Sequence, residues 1–301
     1  MKATAQTFPA AVPLEKSTFA VWSELFKARL TGLVVVTSLA GFYMGASGGI
    51  EWRVLFHALM GIGLVACGAA ALNQWWERDY DALMPRTQNR PLPSGAITTE
   101  TALAAGVAAS VLGLAQLALL VNLLTALLAA LTLGIYLLIY TPLKRVTIWN
   151  TLIGAVPGAL PPLMGWTAVR GEVTREGLAL FAIQFFWQMP HFLAIAWLYR
   201  DQYERGGYMM LPVVDRAGTR TGRESVSHAL ALVLVSLCPV WFGLAGSVYL
   251  IGALLAGAGF VATAVIFSQT LTRERARQMF FASLIYLPAV LGLMAADKLG
   301  R

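Results

Sequence analysis

The chain has 301 residues, of which 58% are hydrophobic and only 12% are charged. Soluble domains carry about 25% charged residues, so the composition excludes an ordinary soluble protein and predicts a polytopic membrane protein. The formal net charge is +7, but we expect no nucleic-acid partner, because the basic residues fall in loops on one side of the predicted membrane helices. Cys67 and Cys238 lie in separate apolar segments, which indicates neither a disulfide framework nor a zinc site.

The apolar segments predict the transmembrane organisation. A helix needs about 20 apolar residues to cross the hydrocarbon core. Nine segments of this kind occur, at 28–48, 54–74, 100–120, 122–140, 149–168, 177–199, 227–247, 250–270 and 277–297. Only Val121 and Asn122 separate the third from the fourth. We therefore predict an all-α bundle of nine transmembrane helices, with an N-terminal segment over 1–27 and a single membrane domain over 28–297.

The basic residues predict the orientation of this bundle. Most lysines and arginines, from Lys2 onward, fall in the N-terminal segment and in the loops after the second, fourth, sixth and eighth helices, whereas the opposite face has few, among them Arg301. The positive-inside rule then places the N-terminus in the cytoplasm and the C-terminus outside. Residues 1–25 lack the pattern of a cleavable signal peptide, so we expect the first helix to direct insertion.

The loop after the second segment carries the densest charge. Asn73, Glu77 and Asp81 recur every four residues, so a continuing helix would project all three side chains from one face. Their oxygen atoms suit Mg²⁺, which commonly bridges protein carboxylates and substrate phosphates. Arg86 and Arg90 follow, and guanidinium groups bind phosphate oxygens in pairs. Charges that merely solvate a turn are the alternative, but ionisable residues on a buried helix are costly and usually functional.

Two further loops on the same side repeat the theme. Tyr140 precedes Lys144 and Arg145, which could bind a diphosphate or serve only as a positive-inside anchor. After the sixth segment comes a second polar cluster, made of Asp201, Gln202, Tyr203 and Glu204. In a bundle of two related halves the two clusters would face each other across a cavity, as in sites where two metal ions hold one diphosphate. An ordinary charged loop is the alternative for the second cluster.

The fifth and sixth segments contain unusual residues for membrane helices. The fifth holds Pro157, Pro161 and Pro162 among several glycines, which predicts a kinked or broken helix. In the sixth, Gln184, Gln188 and His191 fall at i, i+4 and i+7, which predicts a polar stripe facing the bundle interior. His191 could be an axial heme ligand, a general base or a hydrogen-bonded core residue.

These motifs resemble the UbiA-type intramembrane prenyltransferases, in the form found in the heme O synthase family. The first signature gives the superfamily, and the proline-glycine and tryptophan-glutamine runs single out the heme-specific branch. The matching residues span most of the chain: Asn73-x3-Glu77-x3-Asp81, Met84-x-Arg86-Thr87-x2-Arg90-Pro91-Leu92, Tyr140-Thr-Pro-Leu-Lys-Arg145, Asn150-x3-Gly154-x2-Pro157-Gly158-Ala159-x-Pro161-Pro162-x2-Gly165-Trp166, Trp187-Gln-Met-Pro-His-Phe192 and Gly206-x2-Met209-x-Leu211-Pro212.

The resemblance implies an activity and a set of site residues. The family joins the farnesyl group of farnesyl diphosphate to a vinyl group of protoheme IX (heme b), which gives heme O, the precursor of heme A. It implies Mg²⁺ as cofactor, farnesyl diphosphate, heme b and the lipid bilayer as partners, heme A synthase as a candidate further partner, and a location in the inner (plasma) membrane with the active-site loops cytoplasmic. The residues implicated are Asn73, Glu77, Asp81 and Lys144 in catalysis, Arg86, Arg90, Arg145, Tyr140, Asn150, Gln188, His191 and Tyr203 in substrate binding, and Asn73, Glu77, Asp81, Asp201, Gln202 and Glu204 in metal binding.

Gln202 departs from the family pattern, which usually has Asp or Glu before Tyr203. An amide attracts a cation less than a carboxylate does, so either Asp201 takes over or a second metal binds more weakly. Two other functions compete with the main interpretation. One is a superfamily enzyme with a hydroxybenzoate, naphthoate or chlorin acceptor; the other is a proton-coupled transporter, in which broken helices and intramembrane acids are also expected.

Overall fold

A computed structural model describes residues 16–300. Residues 1–15 of the predicted N-terminal segment, with Lys2, and Arg301 lie outside this part of the chain. The helices are α1 Thr18–Leu25, α2 Ala28–Gly45, α3 Trp52–Asp81, α4 Thr99–Leu120, α5 Leu123–Gly134, α6 Thr141–Leu143, α7 Asn150–Arg170, α8 Arg175–Leu198, α9 Arg200–Arg205, α10 Leu211–Val214, α11 Thr219–Val235, α12 Cys238–Trp241, α13 Ser247–Thr270 and α14 Arg273–Ala296. A π-helical segment, Ile135–Tyr140, joins α5 to α6.

Within residues 16–300, nine helical stretches are long and apolar enough to cross a membrane. The predicted all-α architecture and the nine spans are confirmed. The boundary between the third and fourth spans also agrees, because α4 ends at Leu120 and the Asn122 side chain caps α5 by accepting a hydrogen bond from the Thr125 amide at 2.8 Å. The chain is a multi-pass membrane protein.

Two spans differ in length from the predicted segments. Helix α3 has 30 residues and ends at Asp81 rather than at 74; at 1.5 Å per residue it is about 45 Å long, which exceeds the hydrocarbon core. Its last two turns therefore project beyond the apolar layer and carry the polar stripe. The seventh span begins at Thr219 rather than at 227 and bends after Val235, where Pro239 opens the short helix α12.

The fifth span is predicted to be kinked or broken, and helix α7 shows that it is not broken. Despite Pro157, Pro161 and Pro162, it is one uninterrupted helix from Asn150 to Arg170. It packs closely against α2, since a Cβ at Gly41 would lie 1.9 Å from the Pro162 carbonyl oxygen and one at Gly165 would lie 1.9 Å from the Ser38 carbonyl oxygen. Gly41 and Gly165 thus allow α2 and α7 to pack closely.

The core divides into a cluster among the first spans and a larger one among the last. The first centres on Ile62, Leu117 and Leu163, and the second surrounds Tyr249, Phe267 and other side chains of α8, α11, α13 and α14. At the end of the bundle remote from Asp81, Lys298 ties the two parts together. Its Nζ donates to the carbonyl oxygens of Tyr43 at 2.5 Å and Ala46 at 2.6 Å, which caps the end of α2.

Candidate active site

A cavity of about 80 Å³ lies at the end of the bundle where α3 terminates. Its walls come from the start of α2, the end of α3, the loop after α3, the π-helical segment and the loop after α9. The lining side chains are Lys27, Asn73, Glu77, Asp81, Met84, Arg86, Thr87, Arg90, Tyr140, Lys144, Tyr203, Tyr208 and Met210. Eight of the predicted site residues therefore meet here: Asn73, Glu77, Asp81, Arg86, Arg90, Tyr140, Lys144 and Tyr203.

The polar stripe of α3 forms the floor of the cavity. Asn73, Glu77 and Asp81 are 1%, 5% and 1% exposed, and the four-residue spacing brings them onto one helix face as predicted. The Asn73 amide donates to Glu77 Oε2 at 2.9 Å and to Thr141 Oγ1 at 3.2 Å. These contacts orient the amide so that its oxygen faces the cavity side of the stripe.

Each oxygen donor of the stripe contacts a different cation. Lys27 Nζ donates to Asn73 Oδ1 at 2.8 Å. Lys144 Nζ donates to both Glu77 oxygens at 2.9 Å, and Arg90 donates to Asp81 Oδ2 at 2.7 Å. Since buried charges require partners, these cations allow two carboxylates to be buried side by side.

Lys27, like Tyr208, is a lining residue that the motifs did not predict. It precedes α2 with φ 46° and ψ 51°, a left-handed conformation that costs a non-glycine residue energy and often marks a functional position. Burial, followed by repulsion from Arg90 and Lys144, lowers the pKa of Lys27 to about 7. In the sequence it stands among basic residues that indicated only orientation, so no local signal distinguished it.

Lys144 and Tyr208 respond to the same carboxylates. Burial acts to lower the pKa of Lys144, but the neighbouring Glu77 carboxylate outweighs it and raises that pKa above its ordinary value. Burial, together with Glu77 and Asp81, raises the pKa of Tyr208. Lys144 is therefore a cation and Tyr208 a neutral phenol near neutral pH. Lys144 also lies 4.7 Å from the Tyr140 ring centre, a favourable cation–π distance.

The guanidinium group of Arg86 contacts tyrosines of the second charged loop, the segment that follows α8. The guanidinium lies 5.0 Å from the ring centres of both Tyr199 and Tyr203, and it donates to the Tyr203 hydroxyl at 3.0 Å. The tyrosines fix the guanidinium plane while leaving further N–H groups for a ligand.

The acidic residues of the second loop lie away from the cavity. Asp201 pairs with Arg200 and Glu204 with Arg216, and the acidic side chains are 69% and 51% exposed. Gln202 Oε1 is buried without a hydrogen-bond partner among the described residues. The structure thus does not bring the two predicted acidic clusters together, and the second loop contributes tyrosines instead.

Two predicted substrate-binding residues also stand outside the lining. The Arg145 guanidinium stacks on the Tyr80 ring at 3.7 Å. The Asn150 amide donates to the carbonyl oxygens of Thr147 at 2.6 Å and Met209 at 2.8 Å. Arg145 packs against the end of α3, while Asn150 fixes the loop that precedes Met210.

The predicted polar stripe of α8 divides between two neighbours. Gln188 Nε2 donates to the Ala155 carbonyl oxygen of α7 at 2.6 Å, and a Cβ at Gly158 would lie 2.3 Å from Gln188 Oε1. His191 instead contacts Ser283 of α14 through Nδ1 at 2.7 Å. Both side chains contact other helices of the bundle, as an inward-facing stripe requires, but they are three positions apart and so differ by about 60° in direction, which lets each reach a different neighbour.

The donors at the cavity floor fit a hard cation. Among residues 16–300 no group of three or more His, Cys, Asp or Glu side chains could hold a metal ion, so a thiolate or imidazole site is not indicated there. The α3 stripe offers one amide and two carboxylates, a set that suits Mg²⁺ completed by water and phosphate oxygens. Lys27, Lys144 and Arg90 contact those donors in this structure.

The sequence comparisons agree along most of the chain. Residues 34–285 match the model of the UbiA prenyltransferase family. The protoheme IX farnesyltransferase of Solibacter usitatus is 46% identical over 92% of this chain and 98% of its own length. That of Koribacter versatilis is 44% identical, covering 97% of this chain and 98% of its own length.

Solved structures share the fold at low sequence identity. A chain from a study of digeranylgeranylglyceryl phosphate synthase has a TM-score of 0.79 at 17% identity, covering 93% of this chain and 98% of that one. A UbiA homolog from Archaeoglobus fulgidus, bound to DMAPP and Mg²⁺, has a TM-score of 0.60 at 14% identity, covering 91% and 99%. With the sequence matches and the charged cavity, these likenesses lead to one conclusion: the chain belongs to the UbiA prenyltransferase family.

Proposed function

We propose that this protein transfers the farnesyl group of farnesyl diphosphate to a vinyl group of heme b, with addition of one water and release of diphosphate, which gives heme O, with its hydroxyethylfarnesyl group, for heme A formation. The carrying observation is the cavity floor, where three buried oxygen donors and their cations lie side by side. Such a site suits a metal-bound diphosphate. The acceptor is taken from the relatives, whose names specify protoheme IX and farnesyl transfer.

We assign Mg²⁺ to Asn73, Glu77 and Asp81. When bound, the ion would offset the negative charge that builds on the departing diphosphate. Asp201, Gln202 and Glu204 receive no part in this metal site, because Asp201 and Glu204 are exposed in ion pairs with arginines.

The cations around the stripe supply the remaining charge stabilisation. Four of them, Lys27, Arg86, Arg90 and Lys144, line the cavity against the carboxylates Glu77 and Asp81. The excess of positive charge attracts a polyanionic diphosphate, and cations already in place stabilise its developing charge without reorganising solvent. With Asn73, Glu77 and Asp81 assigned to the metal ion, Lys27, Lys144 and Arg90 would be available to bind phosphate oxygens.

The aromatic walls complete the site. Tyr140, Tyr203 and Tyr208 line the cavity, and their ring faces can stabilise an allylic cation while keeping water away from it. Asn150 and Arg145 would act indirectly, since they position the loops that bear these tyrosines and the end of α3. Gln188 and His191 are proposed to contact the heme on the α8 side.

Two finer assignments belong to the same proposal. The positive-inside distribution supports a cytoplasmic location for the cavity in the cell's inner (plasma) membrane. Heme O is too apolar to leave the bilayer readily, so an enzyme that oxidises it further, heme A synthase, is the expected recipient.

The competing functions predict different geometry. A transporter would carry its ionisable groups near the bilayer midplane between broken helices. Here the acids lie at the terminus of α3, and α7 is unbroken. A quinone or chlorin acceptor would leave the diphosphate end of the cavity unchanged, so only an acceptor assay separates those enzymes from the proposal.

The test uses the purified protein in lipid nanodiscs with farnesyl diphosphate, Mg²⁺ and either heme b, 4-hydroxybenzoate or a dihydroxynaphthoate. We expect diphosphate release and a farnesylated heme in the mass spectrum only with heme b, and neither product when Mg²⁺ is chelated. Product formed from a benzoate or naphthoate, and none from heme b, would replace the proposed acceptor.

A further inference from the structure

Ser283 of α14, which no sequence motif singled out, makes a buried contact with His191 of α8. Ser283 is fully buried, and its Oγ lies 2.7 Å from His191 Nδ1. The same Oγ lies 2.5 Å from the Phe280 carbonyl oxygen, an atom that can only accept a hydrogen bond. Two short contacts therefore share one hydroxyl group.

Counting protons assigns the tautomer of the imidazole. A serine hydroxyl has one hydrogen to donate and lone pairs to accept with. Two oxygens lie 2.5 Å apart only with a hydrogen between them, so the hydroxyl hydrogen points to the Phe280 carbonyl and Ser283 Oγ acts as acceptor towards His191. Nδ1 then carries the proton, and the lone pair of the neutral ring is on Nε2.

The surroundings of the ring leave the Nε2 edge open. The Trp187 and Phe280 rings both stack on the imidazole, each with its ring centre 5.1 Å away and with interplanar angles of 21° and 29°. Trp187 is itself fixed by its Nε1–H, which donates to the Ser283 carbonyl oxygen at 2.7 Å. Among the described residues, Nε2 has no hydrogen-bond partner. The fully buried polar atoms that lack a partner do not include Nε2, so this atom is not fully buried. The free lone pair thus reaches accessible space.

The position of the ring suits a ligand that lies beneath the diphosphate site. His191 precedes the end of α8 at Leu198 by about 10 Å along the helix axis. Ala196, between them, packs with Met84 and Tyr208 of the cavity wall. His191 is five positions from Ala196, about 140° around α8, so the imidazole lies deeper along α8 than the cavity wall and on the side of that helix that contacts α14.

We infer that Ser283 is a positioning residue for the acceptor: it holds His191 as the Nδ1–H tautomer so that Nε2 binds the iron of the heme substrate. This inference rests on the proposed function. Imidazole ligands of metals commonly donate their second N–H to a fixed acceptor, and loss of that acceptor weakens metal binding roughly 10–100-fold. The Trp187 and Phe280 stack would add to the effect by restricting ring rotation.

The first measurement needs no heme. In the ¹⁵N-histidine-labelled protein, the resonances of His191 are assigned by comparison with His191→Gln among the three histidines of the chain. We expect the protonated nitrogen to be Nδ1. A ring protonated at Nε2 would overturn the inference, whatever the activity of the protein.

The second measurement titrates heme b into the full-length protein and records the Soret band and the iron–imidazole stretch. Ser283→Ala should weaken heme binding roughly 10–100-fold and shift the iron–imidazole band, and Ser283→Thr, which keeps a hydroxyl, should restore both. The matched control is Ser225→Ala on α11, a fully buried serine whose Oγ donates to the Thr221 carbonyl in the same way; it should bind heme like the parent.

The outcomes separate this inference from the proposed function. Unchanged heme spectra in Ser283→Ala would show that the hydroxyl only packs the helices. Unchanged spectra in His191→Ala would remove His191 from the iron altogether. If either result accompanied normal farnesyl transfer to heme, the proposed function would stand and the positioning role would fall. If the parent protein bound heme with normal spectra but transferred no farnesyl group to it, the proposed function would instead be refuted.

Discussion

The two charged loops at the cavity end have similar composition but opposite geometry. In the first, Glu77 and Asp81 point into the cavity with side chains 6% and 1% exposed. In the second, Asp201 and Glu204 are 69% and 51% exposed and pair with arginines at the surface. The difference arises from the backbone, because the first acids continue an existing 30-residue helix, whereas the second follow a break at Tyr199 and lie on the six-residue helix α9.

Two loops of similar composition can thus differ in whether their acidic residues face a cavity, so composition alone does not identify a metal site. Carboxylates at four-residue spacing on a buried helix share a face and must be neutralised there, which makes them available to a ligand. Carboxylates on a short surface helix find arginine partners in water, where such pairs contribute about 0–1 kcal/mol. The second loop instead presents Tyr203 and Tyr208 to the cavity.

The largest expected effect comes from replacing carboxylates by amides in both loops. We expect Asp81→Asn and Glu77→Gln each to lower kcat on the order of 100-fold or more, the loss typical of a missing electrostatic group at a reacting centre. Asp201→Asn and Glu204→Gln should have little effect. Steady-state release of diphosphate with heme b as acceptor measures all four variants, and equal losses in the two loops would restore a two-cluster metal site.

Lys27 is a further difference between the two loops, because it contacts the stripe of the first loop and the second loop contributes no lysine or arginine to the lining. Lys27→Met removes a cation from a charge-assisted contact and should reduce kcat/KM for farnesyl diphosphate roughly 10–100-fold, since such bonds contribute about 1.5–3 kcal/mol. Arg29→Met, at an exposed cation of the same segment, is the control. Equal kinetics in the two variants would show that Lys27 only neutralises the stripe.

Arg86 joins the two loops and gives an intermediate effect. We expect Arg86→Lys to raise the KM for farnesyl diphosphate about tenfold, because lysine keeps the charge but loses the planar fork and its stacking between two tyrosines. Arg223→Lys, at an exposed position of α11, should be silent. A parental KM in Arg86→Lys would make this residue an orientation anchor.

The smallest expected effect concerns the second loop's own contribution. Tyr203→Phe removes the hydroxyl that accepts from Arg86 at 3.0 Å and keeps the ring. A neutral hydrogen-bond partner contributes about 0.5–1.5 kcal/mol, so KM for farnesyl diphosphate should rise only a few-fold while kcat stays near the parental value. A collapse of kcat would give the second loop a direct part in the chemistry.

The spans and the first loop followed from the sequence because each depends on local chemistry. Nine apolar stretches must become helices in a bilayer, since no water is available to satisfy their backbone. The spacing of Asn73, Glu77 and Asp81 needs only a continuing helix to share a face, and α3 continues to Asp81. The motif Arg86 to Arg90 then follows within the same turn region.

The remaining features were decided by contacts between distant parts of the chain. Lys27 reaches Asn73 across 46 positions and His191 meets Ser283 across 92, so no local pattern could connect them. The close packing of α7 against α2 depends on glycines of both helices that allow the backbones to touch. Local sequence patterns therefore determined the membrane helices and the polar stripe of α3, whereas tertiary packing decided which cations and tyrosines line the cavity and which neighbour His191 contacts, because side-chain direction between helices depends on how those helices pack.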